Sequence, residues 1–345
     1  MSAVPNDVPA LTADGPLVSL RDLNVAFHAP GKVIRALNGV DLDVARGQTV
    51  ALIGESGSGK SVTLRTLMRL HPPRRTRVGG SILLDGRDVL AMDAAQLAAC
   101  RGPVVSMVFQ EPLLALDPVY TVGAQMVEMM RRHEKGLSRE AARARALALF
   151  ERVRIPSPRR RLDAYPHEMS GGMRQRAMIA LALSCNPKLL LADEPTTALD
   201  ATVQIQILLL LRELQQELGL SIIFVTHDIG AAAEIADRVA VMYGGRIVEQ
   251  GSMAQLLRAP RHPYTLALLR SRAHGAMAKG TRLQTIAGSP PDLAALPPGC
   301  SFADRCLLAL DACRAAVPAM APVGPGHAAR CIRLDQTHAQ EPASA

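Results

Sequence analysis

A glycine-rich turn between an apolar run and a helix-forming run constrains this 345-residue chain more than any other feature. The turn fills every fixed position of the pattern G-x-x-x-x-G-K-S, with Gly54, Glu55, Ser56, Gly57, Ser58, Gly59, Lys60 and Ser61. The apolar residues 49–53 before it favour a strand, and residues 62–68 after it can continue as a helix. A strand, a glycine loop and a helix in this order form the setting in which this motif binds phosphate.

The residue types in the turn predict which groups would contact the ligand. Its glycines allow successive backbone N–H groups to point at one anion, and the helix that begins there adds the positive end of its dipole. Lys60 would bring a positive charge to the β- and γ-phosphates, and Ser61 would offer a hydroxyl to Mg²⁺. We therefore expect a nucleoside triphosphate and Mg²⁺ to bind at this turn, which we call the phosphate cradle (residues 54–61).

A second element of a phosphate site follows further along the chain. The apolar residues 189–192 predict a buried strand, and the strand runs directly into Asp193 and Glu194. A carboxylate at the end of such a strand can hold the shell of Mg²⁺, which is the role we predict for Asp193. Glu194, one residue later, is a candidate to orient and polarise an attacking water molecule.

Composition limits the broad class of protein. The length predicts two or three folding units, and no stretch reaches the about 18 consecutive apolar residues of a membrane-spanning helix, although 48% of the residues are hydrophobic. Residues 1–16 carry two aspartates and three prolines without a basic start or an apolar core, so we expect a disordered lead-in and no signal peptide. Residues 336–345 are expected to be a disordered tail. These features predict a cytoplasmic, soluble protein.

The net charge of +8 raises the question of an anionic partner. The densest basic runs, at 74–77 and 159–161, adjoin prolines in predicted loops, and aromatic residues make up only 3% of the chain. Nucleic-acid grooves usually combine basic residues with aromatic side chains. The pattern favours a solvated basic surface, and we expect no nucleic-acid partner.

The chain divides into zones of different periodicity. Residues from about 17 to 50 alternate between apolar and polar in short runs, and residues 80–86 repeat this before a turn at Asp85 and Gly86, which predicts a small antiparallel sheet. Residues from about 124 to 184 have a helical pattern, with Ser138 as a candidate helix start. The runs 189–192 and 222–225, separated by a helical stretch at about 201–218, are continuously apolar, which is typical of parallel strands buried on both faces.

Between the cradle and the acidic strand lies a run that resembles a known family. Residues 169–176 read Met-Ser-Gly-Gly-Met-Arg-Gln-Arg, which is similar to the signature loop of ATP-binding cassette (ABC) ATPases, usually written L-S-G-G-Q. The resemblance implies that Ser170, Gly171 and Gly172 form a second phosphate-binding site at a helix N-terminus. In the family, this loop binds the ATP held by a partner subunit. Met169 and Met173 depart from the usual leucine and glutamine.

The resemblance implies roles for several further residues, in the order that the family shows. Gln110 matches the glutamine loop, which touches Mg²⁺ and faces the membrane partner. Asp200 matches the loop that crosses the dimer interface, and His227 matches the switch histidine that contacts the γ-phosphate. Phe27 is the candidate to stack on adenine, with His28 as the alternative.

The family resemblance also implies a fold. We expect an ABC nucleotide-binding domain over residues 17–258, with a RecA-like α/β P-loop NTPase core and an antiparallel β subdomain. A helical subdomain would occupy residues from about 111 to 185 and carry the signature loop. Residues 259–335 would form a C-terminal extension.

The tail narrows the resemblance to one group of ABC ATPases. Residues 262–265 (His-Pro-Tyr-Thr), 288–293 and 298–306 resemble the extension of dipeptide and oligopeptide importer ATPases, although nickel importers share much of it. The resemblance implies a second ATPase subunit (a copy or a paralogue), two transmembrane permeases and a solute-binding protein as partners. It also implies a peripheral position on the cytoplasmic face of the inner membrane. A soluble ABC ATPase of translation or DNA repair would carry two cassettes or a long coiled-coil insertion, and the sequence shows neither.

Four cysteines in the tail form a candidate metal centre. Cys300, Cys306, Cys313 and Cys331 follow the spacing C-x5-C-x6-C-x17-C, which is not the short C-x2-C of most zinc knuckles or bacterial ferredoxins. Paired disulfides are unusual in a cytoplasmic protein, so the set suggests a metal site. The resemblance to peptide-importer ATPases implies a 4Fe–4S cluster, with zinc or free thiols as alternatives.

Overall fold

A computed structural model describes residues 15–197, 199–271 and 286–336 of the chain. Nearly all of the predicted lead-in (1–16) and of the predicted tail (336–345) lies outside the described residues, as does Ala198. Within the described residues, no helix combines the length and the apolar character needed to cross a bilayer.

Twelve strands are present in the described residues. They are β1 (Val18–Ala29), β2 (Lys32–Val44), β3 (Thr49–Ile53), β4 (Thr76–Leu84), β5 (Arg87–Asp88), β6 (Val105–Val108), β7 (Leu189–Asp193), β8 (Ser221–Thr226), β9 (Arg238–Tyr243), β10 (Arg246–Ser252), β11 (Ala321–Gly324) and β12 (His327–Ala329).

Twelve α-helices accompany these strands in the same parts of the chain. They are α1 (Lys60–Leu67), α2 (Ala94–Cys100), α3 (Pro112–Ala115), α4 (Val122–His133), α5 (Arg139–Arg152), α6 (Pro158–Leu162), α7 (Gly171–Leu183), α8 (Ala201–Leu218), α9 (Ile229–Ile235), α10 (Met253–Arg258), α11 (Pro263–Arg270) and α12 (Asp311–Ala315). Short 3-10 turns cover Pro166–Glu168 and Ala303–Arg305.

The chain forms two compact units. The first unit contains the described residues up to 18 together with 44–49 and 83–225, and the second contains 19–43, 50–82 and the described residues from 226 onward. The glycine-rich cradle therefore belongs to the second unit, whereas the acidic strand end and the Ser-Gly-Gly run belong to the first.

Parallel strands form the centre of the first unit. β6, β7 and β8 lie side by side, and the pairs β6–β7 and β7–β8 are both parallel. Every residue of β7 and β8 is buried. The continuous apolar runs at 189–192 and 222–225 thus form buried parallel strands, as the sequence predicted.

Helices α3 to α7 make up the region of the first unit that the sequence predicted to be helical. Ser138 begins α5, as predicted, because its side chain accepts a hydrogen bond from the Ala141 N–H at 3.1 Å and so satisfies an unpaired backbone donor. Ala142, Ala146 and Phe150, spaced four residues apart, form the buried face of α5.

The second unit combines a parallel pair with an antiparallel ribbon. β3 runs parallel to β9, β9 pairs antiparallel with β10, and β12 lies between β10 and β11 with antiparallel pairing on both sides. The sequence analysis predicted neither β11 nor β12, because strands of four and three residues are too short to show a clear alternation. The chain after residue 258 thus adds two strands, β11 and β12, to the sheet that contains the cradle strand, β3.

The predicted small sheet is also present. β2, β1 and β4 are neighbours in the second unit. A two-residue turn joins β1 to β2, and its Gly31 has a φ of 74°, a backbone conformation that glycine adopts without strain. The strand predicted at residues 80–86 lies within β4 and the turn after it.

Candidate functional site

Two glycines of the cradle are required by close contacts. Gly54 has a φ of 153°, and a Cβ atom there would lie 2.2 Å from the backbone oxygen of Met242. Gly59 has a φ of 104°, and a Cβ atom there would lie 2.7 Å from a methyl carbon of Leu37. The loop thus curls tightly against its neighbours, and any larger residue at either position would push it away.

Lys60 begins α1 and turns back over the loop. Its Nζ donates hydrogen bonds to the backbone oxygens of Gly54 at 2.8 Å and Glu55 at 2.9 Å, and the residue is only 5% exposed. Ser61 follows in the first turn of the helix and is half-buried. The loop, its lysine and the helix start therefore form one preorganised set of donors, suited to polyphosphate.

Residues from the far end of the chain surround the cradle, which the sequence alone did not indicate. A cavity of about 210 Å³ is lined on one side by Glu55, Ser56, Gly57 and Ser58 and on another by residues 290–293. Glu55 also contacts Tyr264 and Arg305. We call the described residues 259–271 and 286–336 the C-terminal segment.

The acidic pair lies at the end of β7 in the first unit. Asp193 is the last residue of the strand and is 1% exposed, so it supplies a buried carboxylate. Glu194 has a φ of 46°, and its N–H donates to the oxygen of Val225 at 3.0 Å. Its side chain accepts a hydrogen bond from the Thr197 hydroxyl at 2.9 Å. A positive φ at a non-glycine residue is strained, and such strain concentrates at functional sites.

The Ser-Gly-Gly run begins helix α7. The Ser170 side chain accepts a hydrogen bond from the Met173 N–H at 3.3 Å and caps the helix, whose first two residues are Gly171 and Gly172. A Cβ atom on Gly172 would lie 2.9 Å from Val203 of α8. Met169 is 2% exposed, so it fills an interior position much as the usual leucine would.

The remaining candidates follow the end of a strand, cap a helix or lie on a strand. Gln110 and His227 are exposed and follow β6 and β8, respectively. Asp200 caps α8 by accepting a hydrogen bond from the Val203 N–H at 3.0 Å. Phe27, on β1, is half-buried, and its ring packs edge-to-face against His71 with centroids 5.0 Å apart.

His28, the alternative to Phe27 for stacking on adenine, has a buried ring nitrogen. Its Nε2 is buried and has no hydrogen-bond partner among the described residues. Phe27 and His28 lie in the second unit together with the cradle and His227, and Gln110, Asp193, Glu194 and Asp200 lie in the first.

The four cysteines of the C-terminal segment lie close together. The Cys300 N–H donates to the backbone oxygen of Cys313 at 2.7 Å. Burial raises the pKa of Cys300, of Cys306 and of Cys331, the last to about 11, and the neighbouring cysteines raise the Cys331 pKa further. Cys313 is 7% exposed, and no disulfide joins any of them.

The cysteine geometry does not by itself make a metal site. Among residues 15–197, 199–271 and 286–336, no group of three or more His, Cys, Asp or Glu side chains is arranged to hold a metal ion. The arrangement of these side chains therefore supports neither the 4Fe–4S cluster that the resemblance implies nor zinc, its alternative.

Comparison with known proteins places these elements in a family. Residues 37–197 match the family described as ABC transporter, and residues 248–313 match the family described as Oligopeptide/dipeptide transporter, C-terminal region. The chain is 51% identical, over 93% of its length and 98% of the relative's, to a protein of Brucella melitensis provisionally named a peptide import ATP-binding protein. It is 47% identical, over 93% of its length and 96% of the relative's, to a protein of Sinorhizobium fredii provisionally named a peptide ABC transporter ATP-binding protein.

Solved structures agree with this assignment. The ATP-binding cassette MJ0796, solved as a dimer bound to ADP and Pi, is 30% identical and superposes with a TM-score of 0.62 over 68% of this chain and 98% of its own. The cbiO1 protein of Clostridium perfringens, part of the ABC transporter complex cbiONQ, is 28% identical with a TM-score of 0.60 over 70% of this chain and 90% of its own.

The cradle after a buried strand and the parallel strands of the α/β units define a RecA-like P-loop NTPase core, as the sequence predicted. The chain belongs to the ATP-binding subunits of ABC transporters, in the group that carries the oligopeptide/dipeptide transporter C-terminal region. It is an ABC-type ATPase.

Proposed function

We propose that this chain hydrolyses ATP to power the import of dipeptides or oligopeptides. The observation that carries the proposal is the combination, in one chain, of an ABC transporter domain with the oligopeptide/dipeptide transporter C-terminal region. Relatives that match almost the whole chain are named for peptide import. An importer of nickel or another small solute is the second candidate, because such importers share this architecture.

The residues described above would have different roles in binding and hydrolysing ATP. Lys60 and the cradle N–H groups would hold the phosphates, and Ser61, Asp193 and Gln110 would supply oxygen ligands, which Mg²⁺ prefers, to the metal shell. Glu194 would orient the attacking water, and His227 would contact the γ-phosphate. Phe27 would stack on adenine.

The signature run would act on a second subunit. Two such ATPase subunits would close head to tail on two ATP molecules, so that Ser170, Gly171 and Gly172 of each clamp the ATP of the other. Asp200 would lie at the interface between them. The second subunit would be either another copy of this chain or a paralogue.

The membrane partners would be two transmembrane permeases, contacted through the surface near Gln110, and a solute-binding protein acting through them. Phe109, beside Gln110, is 37% exposed, and Val119 and Tyr120 further along are 69% and 57% exposed. Exposed apolar side chains of this kind favour a protein contact. We propose a peripheral location on the cytoplasmic face of the inner membrane.

Reconstitution tests the proposal directly. The isolated subunit should hydrolyse ATP weakly, because the signature clamp must come from a second subunit. With its permeases in proteoliposomes, the ATPase rate should rise when the binding protein is loaded with peptide. A rise with nickel and none with peptide would favour the second candidate. Full activity of a demonstrably monomeric subunit would contradict the head-to-tail dimer.

We also propose that Cys300, Cys306, Cys313 and Cys331 hold a 4Fe–4S cluster. The type of donor supports it, since a cluster is held by cysteine thiolates and these four cysteines all belong to the C-terminal segment.

Anaerobic purification tests the cluster. The protein should be brown, with a band near about 400 nm and about four irons per chain. Serine at any one of the four positions should remove or destabilise the centre, whereas Cys100→Ser and Cys185→Ser should not. ATP hydrolysis should survive its loss at least in part. One zinc ion per chain would contradict the assignment of iron. Four freely alkylated thiols in the folded protein would show that these cysteines hold neither an iron–sulfur cluster nor zinc.

A further inference from the structure

Glu55, the second residue of the cradle, is held by the C-terminal segment through both its backbone and its side chain. Its N–H donates to the hydroxyl of Tyr264 at 2.8 Å. Its carboxylate receives two parallel hydrogen bonds from Arg305, from Nη1 at 2.6 Å and Nη2 at 3.0 Å. The side chain of Arg305 is only 5% exposed and that of Glu55 is 26% exposed, so most of this bidentate pair is shielded from water.

Arg305 is itself fixed on every side. Its Nε donates to the backbone oxygen of Ala287 at 2.8 Å, Nη2 donates to that of Ile286 at 3.2 Å, and Nη1 donates to the Tyr243 hydroxyl at 3.1 Å. The guanidinium carbon lies 5.8 Å from the Tyr243 ring centre and 5.9 Å from that of Phe302. These contacts thus orient the planar guanidinium group for its ion pair with the Glu55 carboxylate. The ion pair raises the pKa of Arg305.

Tyr264 is fixed by the start of helix α11. His262 caps this helix, because its Nδ1 accepts the Tyr264 N–H at 3.1 Å, and its own N–H donates to the buried carboxylate of Glu249 at 2.8 Å. His327 Nε2 lies 2.8 Å from the same carboxylate. Tyr264 is fully buried and burial raises its pKa, so the hydroxyl stays neutral. The His-Pro-Tyr run therefore builds a rigid support that aims one hydroxyl at the cradle.

These contacts extend to the phosphate-binding lysine. Lys60 Nζ donates to the backbone oxygen of Glu55, so the residue is held at its N–H by Tyr264, at its side chain by Arg305 and at its carbonyl by Lys60. A shift of Glu55 would move the carbonyl that orients the ammonium group. Binding of polyphosphate is strongest when its donors are already in place.

We propose that Arg305 and Tyr264 are positioning residues for ATP binding: they anchor Glu55 and thereby preset the cradle and Lys60. The C-terminal segment is then part of the nucleotide site of its own subunit. The proposal rests on ATP binding by this family and requires neither a permease nor a particular solute, so it stands or falls independently of peptide import.

Nucleotide affinity and thermal unfolding of the full chain, measured side by side, test the proposal. Arg305→Met should raise the Kd for ATP about tenfold, because it removes a buried bidentate ion pair and frees the cradle. Arg305→Lys should recover part of the affinity. Tyr264→Phe keeps the ring and removes only the hydroxyl, and should raise the Kd about threefold.

Arg330→Met is the matched control. Arg330 belongs to the same segment and donates to the backbone oxygens of Ile247 and Pro318, away from the cradle. This variant should lower the unfolding temperature and leave the Kd for ATP unchanged. If Arg305→Met behaved like Arg330→Met, Arg305 would be a structural residue only, and the proposal would be overturned.

A double-mutant cycle tests whether Arg305 affects ATP affinity through its ion pair with Glu55. The Glu55→Gln variant has already lost the bidentate ion pair. In that background, Arg305→Met should therefore raise the Kd for ATP by less than about twofold. A full, additive effect of Arg305→Met in that background would show that Arg305 acts elsewhere and would contradict the proposal.

Discussion

Glu194→Gln should retain ATP affinity and lose turnover by about 10²- to 10⁴-fold, the range typical of removing a general base. Glutamine keeps the size of the side chain and can still bond to Thr197, but it cannot take a proton from the attacking water. The variant should also trap the ATP-bound dimer, because closure of the two subunits precedes hydrolysis in the mechanism that we propose. Steady-state ATPase rates, nucleotide Kd and size-exclusion chromatography with ATP would measure the three effects.

Glu151→Gln provides the control for this experiment. Glu151 is an exposed carboxylate on α5, outside the proposed site, and its replacement should change neither rate nor affinity. Hydrolysis by Glu194→Gln at the unaltered rate would show that the role proposed for Glu194 is wrong. A raised Kd with an unchanged maximal rate would instead place this carboxylate in nucleotide binding.

Lys60→Ala should weaken ATP binding itself, by about 10- to 100-fold, because it removes the charged donor that we propose for the β- and γ-phosphates. Lys60 also bonds to the oxygens of Gly54 and Glu55, so the alanine variant should lose some loop order. Lys60→Met keeps most of the buried stem and separates the two effects. Equilibrium binding of a fluorescent ATP analogue would give the affinity of each variant.

Lys32→Ala is the matched control for charge. Lys32 is exposed at the start of β2 and lies in the same unit as the cradle. Its removal lowers the net charge equally and should leave the Kd unchanged. Unaltered affinity in both Lys60 variants would contradict the proposed contact between this lysine and the nucleotide.

Much of the fold was predictable because it depends on local patterns. The buried strands β7 and β8 follow from uninterrupted apolar runs, and the start of α5 follows from the capping geometry of Ser138. The turn at residues 54–61 can be tight because Gly54 and Gly59 fill the two positions that closely approach other backbone. Each of these signals lies within a short stretch of chain.

The short strands β11 and β12 were not predictable. They contain four and three residues, too few for a period to emerge, and they form because β10 offers a free edge to pair with. The arrangement of the four cysteines was not predictable either. Their spacing in the sequence identified the four residues, but only the folded chain brings Cys300 beside Cys313.

The sequence by itself determined the class of chemistry, because the residues that we propose to bind phosphate, from Gly54 to Ser61, are adjacent in the chain. Only the tertiary structure decided what holds that loop in place. Arg305 lies 250 positions from Glu55, and no local pattern connects them. Their ion pair exists because the C-terminal segment packs beside the cradle, where exclusion of water makes a bidentate charge pair strong and specific.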